Sequence, residues 1–260
     1  MSLKPGRPAS AEFSCAELGR LVEFRASGVE SLEGFEFAIN LNRLNINGSP
    51  VTSLKPLEGL TRLTTLSVND GSLTSLESIV SLPALSVFMV DDNDIVDISP
   101  VALLPGLTWF SAAGNAITDI SPLAEMPALF WLDLSDNRIV DISPLTSNTA
   151  MAALLLNGNQ IVDGGPLSAL RALRRLELAG NRLTNIDFME SLELEILDLS
   201  SNRIVSVNGL ARNRSLSAKE PYDLRNNCID LAGEDPFVQD LLARGSRLRL
   251  EPQDESCVGA

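Results

Sequence analysis

Apolar residues recur along this chain with one long period. When the chain is aligned on its LxxLxLxxN segments, the last of the three apolar residues advances by 22 residues in each of the first seven steps, by 21 in the eighth and by 25 in the last. A period of this length predicts a repeat protein, in which each repeat packs against its neighbours and the chain builds one continuous core. The aligned residues are Phe24, Ile46, Val68, Val90, Ala112, Leu134, Leu156, Leu178, Leu199 and Leu224.

Each repeat has two dissimilar halves, as residues 129–150 illustrate. The segment WLDLS alternates apolar and polar residues, which predicts a short strand with one buried face. The second half is too short for a full α-helix. In it, Ser143-Pro144 predicts a short 3₁₀ helix, with Ser as the cap and Pro in the first helical position. Ser99-Pro100 and Ser121-Pro122 repeat this pattern.

Asparagine recurs at the exit of the predicted strands. A buried amide there can bond the backbone groups that the turn leaves unpaired, so we interpret the row as a structural ladder rather than as a row of reactive amides. In the first repeats, Ser27, Ser49 and Gly71 replace asparagine. The ladder consists of Asn93, Asn115, Asn137, Asn159, Asn181, Asn202 and Asn227.

The segments NDIVDISP, NAITDISPL and NRIVDISPL resemble the 22-residue, internalin-like bacterial subclass of leucine-rich repeat proteins. The resemblance covers roughly residues 19 to 231. It implies an α/β solenoid: a leucine-rich repeat horseshoe with a parallel concave β-sheet and short 3₁₀ or turn segments on the convex side. It implies binding rather than chemistry. Two repeats depart from the pattern, because Gly164-Gly165 replaces Ile-Ser and NIDFMESLELE lacks the proline.

The two ends of the chain are expected to cover the terminal core. We predict an N-terminal tail and short capping helix over residues 1–18, a solenoid of about ten repeats over 19–231, and a C-terminal cap with a tail over 232–260. Ser14 and Glu17 form a capping-box pattern. Near the other end, PFVQDLLAR predicts a helix and RLRLE a final strand.

The outward positions of the predicted strands form rows across the sheet, about 4.8 Å apart from strand to strand. The only two tryptophans share one row and are separated by one repeat, so we expect their rings to be neighbours. Clustered exposed aromatic residues mark interaction sites, although the rings could instead lie flat and merely cover the sheet. The predicted partner-binding residues are Val87, Met89, Asp91, Trp109, Trp131, Asp133, Leu155 and Arg175.

Charge narrows the choice of partner. The net charge is −14, and between Leu63 and Asn137 there are ten acids and no Lys or Arg. We therefore expect a protein or peptide with apolar anchors and basic groups, and no nucleic acid. The same acids could simply keep the protein soluble. The segment DDNDIVD lacks the glycine and distant glutamate of an EF-hand, so we predict no metal.

The composition argues against catalysis. The chain contains no histidine, no phosphate-binding loop and no pair of nucleophile and base, so we predict no enzyme activity and no cofactor. The alternative functions are a structural or self-associating cell-envelope protein and a cytosolic regulatory scaffold. We expect a monomer, although the oligomeric state is not determined by the sequence.

Cysteine usage bears on the compartment. A bridge between Cys228 and Cys257 would staple the last repeat to the tail and would favour an oxidising compartment, whereas Cys15 would then stay unpaired. No apolar run approaches the roughly 18 residues of a membrane span, and the N-terminus has no apolar core of a signal peptide. We expect an extracellular or cell-envelope location, with the cytoplasm as the alternative.

Overall fold

The computed structural model divides the chain into two compact units, Met1–Leu129 and Phe130–Ala260. It describes residues 14–213, 222–230, 236–245 and 247–254 of the 260 in the sequence. Each unit consists of parallel strands that follow one another in chain order, each connected to the next through a short helical turn. The predicted arrangement of parallel strands and 3₁₀ segments is confirmed.

The first unit begins with helix α1 (Cys15–Leu18). Ser14 and Glu17 cap this helix reciprocally, because the Glu17 N–H donates to Ser14 Oγ over 3.3 Å and the Ser14 N–H donates to Glu17 Oε2 over 3.0 Å. The strands that follow are β1 (Glu23–Arg25), β2 (Arg43–Asn45), β3 (Thr65–Ser67), β4 (Val87–Met89) and β5 (Trp109–Ser111). The 3₁₀ helices are Phe35–Phe37, Lys55–Leu57, Glu77–Ser81, Ser99–Leu103 and Ser121–Glu125.

The second unit has longer connections near its C-terminal end. Its strands are β6 (Trp131–Asp133), β7 (Ala153–Leu155), β8 (Arg175–Glu177), β9 (Ile196–Asp198), β10 (Tyr222–Asp223) and β11 (Leu248–Arg249). Its helices are the 3₁₀ segments Ser143–Ser147, Gly165–Ala169 and Asp187–Ser191, together with α2 (Asn208–Arg212) and α3 (Pro236–Ala243). No described helix is long and apolar enough to cross a membrane.

The core of each unit is built from the inward side chains of these strands and from the apolar residues of the turns. All ten residues of the predicted apolar register are buried. Because side chains alternate along a strand, Leu132 and Leu134 occupy the inward positions beside Trp131. In the first unit, Phe88 and Phe110 stack in the core with ring centroids 5.9 Å apart.

The first strand pairing corrects the predicted register. Phe24 lies opposite Leu44 rather than Ile46, so this step is 20 residues and not 22. A slip of two residues keeps every side chain on the same face of the sheet, so the hydrophobic pattern cannot distinguish the two pairings. Leu21, which the longer step placed on the outer face, is buried.

At the three Ser-Pro turns, an aspartate two residues earlier holds the start of the 3₁₀ helix in place of the predicted serine cap. Ser143 is the first residue of its helix, and it donates its backbone N–H to Asp141 Oδ1 over 2.8 Å and its hydroxyl to Oδ2 over 2.9 Å. The backbone bond first, and the hydroxyl bond second, lower the pKa of the Asp141 carboxyl. The charged oxygens thus satisfy the free N–H at the helix start. Asp97 and Asp119 make the same pair of bonds.

The two repeats that depart from the pattern compensate each other. Gly164 stands where other repeats have isoleucine, and Phe188 stands one repeat later where they have proline. A Cβ atom added to Gly164 would overlap the ring of Phe188, which is buried. The backbone of Gly164 has nearly the same torsion angles as that of Ile142, so the glycine is needed for space and not for its conformation.

Helix α3 is attached to α2 by one arginine. Arg244 donates to the carbonyl oxygens of Ala211 over 2.6 Å and Asn213 over 3.1 Å, and it forms an ion pair with Asp240 at 2.8 Å. These bonds satisfy carbonyl groups at the C-terminal end of α2, where helical partners are lacking. The division of the chain into a solenoid with two caps stays a prediction.

The pairing of Gly164 with Phe188 can be tested by restoring the consensus residues. We expect Gly164→Ile alone to lower the free energy of unfolding by about 1–3 kcal/mol through overpacking, and Phe188→Pro alone to lower it by about 3 kcal/mol or more by opening a cavity. In the double variant the isoleucine fills the space that the ring vacates. Its loss should therefore be smaller than the sum of the single losses by at least about 1 kcal/mol, as measured by urea unfolding.

Additive losses in this double-mutant cycle would show that the two departures are independent. Ile142→Gly serves as the matched control, because it removes the corresponding isoleucine in a repeat whose successor carries no phenylalanine at the equivalent position. Phe188→Pro should give no compensation when it is combined with that control.

Candidate functional site

The sheet face, by which we mean the side of the strands opposite the core, carries the predicted partner-binding residues. In the first unit, β4 pairs with β5, so that Val87 lies opposite Trp109 and Met89 lies opposite Ser111. Val87, Met89 and Trp109 are all part-exposed. The sheet face of the first unit therefore carries three part-exposed apolar side chains on β4 and β5, and their role in binding stays a prediction.

In the second unit, the sheet face carries one aromatic ring and one cation on either side of a small residue. Trp131 lies opposite Ala153 on β7, and Ala153 lies opposite Arg175 on β8. The guanidinium carbon of Arg175 is 5.7 Å from the centroid of the Trp131 ring, which is within cation–π range. Ala153, between them, is only 4% exposed.

Burial alters two of the expectations for this face. Both tryptophans are part-buried rather than open to solvent, and Leu155 is 8% exposed, so it is not the exposed apolar residue that the pattern predicted. Leu155 lies between Asp133 and Glu177 on the flanking strands. The predicted adjacency of Trp109 and Trp131 spans the boundary between the units and stays a prediction.

Asp91 is bound within the sheet. Its Oδ1 accepts hydrogen bonds from the Ala113 N–H over 2.9 Å and from the Ser111 hydroxyl over 2.5 Å, and its Oδ2 accepts one from the Asn69 amide over 3.0 Å. These three bonds tie Asp91 to the segments on both sides of it, so most of its acceptor capacity is used within the fold. Asp133 accepts a bond from the Ser135 N–H over 3.0 Å.

Arg175 is held by a chain of polar contacts that the sequence did not reveal. Its Nε and one terminal nitrogen contact Glu177 Oε1 at 2.7 and 2.5 Å. Asn157 donates to Glu177 Oε2 over 2.8 Å and accepts the Ala179 N–H over 2.9 Å. The two-residue spacing of Arg175 and Glu177 places both on one face of a strand, and this spacing was the available signal.

The asparagine ladder satisfies backbone groups at the strand exits. The Asn159 amide donates to the carbonyl oxygens of Leu134 over 2.9 Å and Leu156 over 3.1 Å, and its Oδ1 accepts the Ile139 N–H over 3.0 Å. The Nδ2 atoms of the other ladder residues also donate to backbone carbonyl groups: Asn93, Asn115, Asn137, Asn181, Asn202 and Asn227. In the second repeat, where serine replaces asparagine, the Ser49 hydroxyl accepts the Val29 N–H over 3.0 Å instead.

A charged cluster lies on the last strands of the second unit. Asp223 is buried, and Arg225 contacts it through Nε and a terminal nitrogen at 3.0 and 2.5 Å, while Arg249 lies 3.8 Å away. Burial raises the pKa of the Asp223 carboxyl. The hydrogen bonds from Arg225 and the charges of Arg225 and Arg249 outweigh burial and hold that pKa below its ordinary value. The same carboxylate raises the pKa of Arg225.

The structure gives information on one cysteine and on possible metal ligands. Cys228 is disulfide-bonded. Cys257 lies outside the described residues, so its predicted pairing with Cys228 stays a prediction. In the described ranges, no group of three or more cysteine, aspartate or glutamate residues is arranged to hold a metal ion.

Comparisons with known proteins identify the fold. No protein-family model and no curated protein matches the chain. Among solved structures, internalin C2 from Listeria monocytogenes is 26% identical with a TM-score of 0.66, and the match covers 71% of this chain and 84% of that chain. The internalin inlF from the same organism is 25% identical with a TM-score of 0.58, covering 95% of this chain and 86% of that one.

A third similar structure is the plant peptide hormone receptor RGFR1, which was solved in complex with RGF2. It is 20% identical with a TM-score of 0.68, and the match covers 82% of this chain and 37% of that chain. Together these structures confirm the predicted leucine-rich repeat fold and its internalin-like character. The leucine-rich repeat fold is used for binding in such a receptor.

The Asp223 cluster predicts a pH-dependent stability. Because the folded pKa is lowered, the carboxylate contributes stability at pH values above about 4, and this contribution is lost as the pH falls through the lowered pKa. Asp223→Asn should lower the free energy of unfolding at pH 7 by about 1–3 kcal/mol, since two arginines lose a charged acceptor. The difference between wild type and variant should shrink below about pH 4.

Urea unfolding at pH 7, 5 and 3 measures this difference. Asp94→Asn is the control, because Asp94 is an exposed aspartate in the first unit. A difference between Asp223→Asn and wild type that is constant over this pH range would contradict the proposed role of the ion pair.

Proposed function

We propose that this protein is a non-enzymatic recognition module that binds an extended peptide or protein segment on its sheet face. The observation that carries the proposal is the part-exposed tryptophan on each unit, at the same position of the repeat. Trp109 in the first unit and Trp131 in the second unit each stand on a strand whose inward positions are already filled by core residues.

The apolar character of these strands supports a binding role. Burying a fully exposed large apolar side chain contributes about 1.5–3 kcal/mol, so completing the burial of a part-exposed one contributes a part of this. Tryptophan is also enriched among residues that dominate binding energy. In the first unit, Val87 and Met89 extend the apolar surface along β4, next to Trp109. A partner with apolar anchors would remove this surface from water.

Charge supports a partner that also carries basic groups. The segment from Leu63 to Asn137 contains ten acids and no basic residue. Part of this charge is used within the fold, because Asp91 holds the sheet and Asp97 and Asp119 hold turns. The remaining acids would attract lysine or arginine and would speed association at low salt.

The disulfide bond bears on the cellular compartment of the protein. The disulfide at Cys228 supports an oxidising location, because such bonds persist outside the cytosol. We therefore place the protein outside the cell or in a cell envelope, in keeping with its likeness to internalins. A cytosolic scaffold that binds by the same face is the alternative, and it differs in compartment rather than in chemistry.

Self-association is the second candidate function. In the second unit, Val140 and Val162 occupy the same repeat position outside the strands and are 54% and 52% exposed. A repeated apolar position of this kind could contact another copy. Sedimentation velocity at high protein concentration separates this function from the first, because dimers that persist in Trp109→Ala and Trp131→Ala would favour it.

The recognition function can be tested with a random peptide library displayed on phage. Peptides selected by the wild-type protein should be enriched in apolar residues next to Lys or Arg. Trp109→Ala and Trp131→Ala should each weaken binding of the selected peptides about 10- to 100-fold, as expected for residues that dominate an interface. Isothermal titration calorimetry measures the loss, and thermal unfolding confirms that each variant is folded.

Phe130→Ala provides a matched control. Phe130 directly precedes Trp131 and is an aromatic residue with 53% exposure, but it lies outside the strand, so its loss should leave peptide binding unchanged. Unchanged affinity in both tryptophan variants, with the fold intact, would refute the proposed site. The double tryptophan variant shows whether the two rings contribute to one peptide, because non-additive losses indicate coupling.

A further inference from the structure

We infer that Arg175 and Glu177 are positioning residues, which hold the Trp131 ring in a fixed orientation on the sheet face and do not themselves bind the partner. As far as binding is concerned, this inference rests on the proposed function. The positioning itself concerns contacts within the second unit, and it can be measured without any partner.

The contact between Trp131 and Arg175 depends on the strand between them. Trp131 lies on β6 and Arg175 on β8, so their backbones are separated by two strand spacings, or about 10 Å. The side chains meet because β7 carries Ala153 at the corresponding position. Ala153 has the smallest side chain in this row, and its 4% exposure shows that it is covered by its neighbours.

Arg175 is itself fixed from the other side. Glu177 accepts two contacts from the guanidinium group through Oε1, and Asn157 donates to the second oxygen, Oε2. Asn157 is anchored in turn by the backbone N–H of Ala179. The orientation of the ring is thus linked through three side chains to the main chain at the exit of β8.

This arrangement has a consequence for recognition. The charge of Arg175 is already balanced by Glu177, so an acidic group on a partner would have to compete with an existing ion pair. Arg175 also occupies the position over the Trp131 ring at which a cation of the partner would otherwise bind. Near Trp131 the second unit is therefore suited to an apolar anchor, and it meets that anchor with a ring that has little freedom left to lose.

Fluorescence quenching tests the positioning without a partner. The chain has two tryptophans, so Trp109→Phe leaves Trp131 as the only indole. In this background, Arg175→Ala should raise the acrylamide quenching constant of Trp131 by about half or more, because the cation no longer covers the ring. Glu177→Gln should raise it in the same direction. Arg175→Lys should restore it only in part, because lysine lacks the planar group that stacks on the ring.

Arg182→Ala is the matched control, because Arg182 is an exposed arginine of the second unit outside the strands. It should leave the quenching constant unchanged. If Arg175→Ala and Glu177→Gln behave like this control, Arg175 does not hold the ring, and the inference is overturned whatever the protein binds.

Peptides selected by the wild-type protein test the consequence for binding. Arg175→Ala should weaken their binding about three- to tenfold in wild type and have no further effect in Trp131→Ala, because the arginine acts through the ring. An equal loss in both backgrounds, or a tighter complex in Glu177→Gln, would show direct contact between Arg175 and the peptide. Selected peptides that ignore both tryptophans would refute the proposed function, while the quenching result would still stand.

Discussion

Each repeat turns the chain sharply after a strand of only two or three residues, and the backbone groups at that turn are buried where water cannot satisfy them. In the repeats from Asn93 onward, one asparagine amide per repeat meets most of this demand. Asn159, for example, bonds carbonyl oxygens of its own repeat and the preceding one, and it also accepts an N–H. The inward leucines supply the apolar area, and in these repeats the amide allows successive turns to stack at a fixed register, which sets the position of their sheet-face residues.

Aspartate residues have different structural roles in different parts of the fold. Asp91 bonds three donors on neighbouring strands, Asp141 holds the start of a 3₁₀ helix, and Asp223 is paired with two arginines. Each is part of the net charge of −14, yet each is already engaged within the fold. Composition alone therefore overstates the number of carboxylate oxygens that are free to bind a partner, although only Asp223 among these three has its charge balanced by cations.

Most of the fold could be predicted from the sequence, because the period and the alternation of apolar residues carry the same information. The errors arose where a different arrangement has the same pattern. The pairing of Phe24 with Leu44 preserves the alternation of apolar and polar residues, so the sequence could not distinguish it from the pairing with Ile46. The site was less predictable, since the contact of Trp131 with Arg175 requires knowing that two side chains reach across a strand. The burial of Leu155 likewise arises from packing in the folded sheet, which the apolar pattern alone does not give.

The fit of Phe188 into the space left by Gly164 bears on how such an array can change over time. Repeat proteins are commonly pictured as strings of interchangeable modules whose number grows or shrinks by duplication and deletion. At this junction the modules are not interchangeable, because one repeat carries the hollow and the next carries the ring that occupies it. A recombination event that inserted a consensus repeat between them would leave a cavity on one side and a collision on the other. The two repeats are therefore expected to be inherited as a single block, and the length of the array can change only elsewhere.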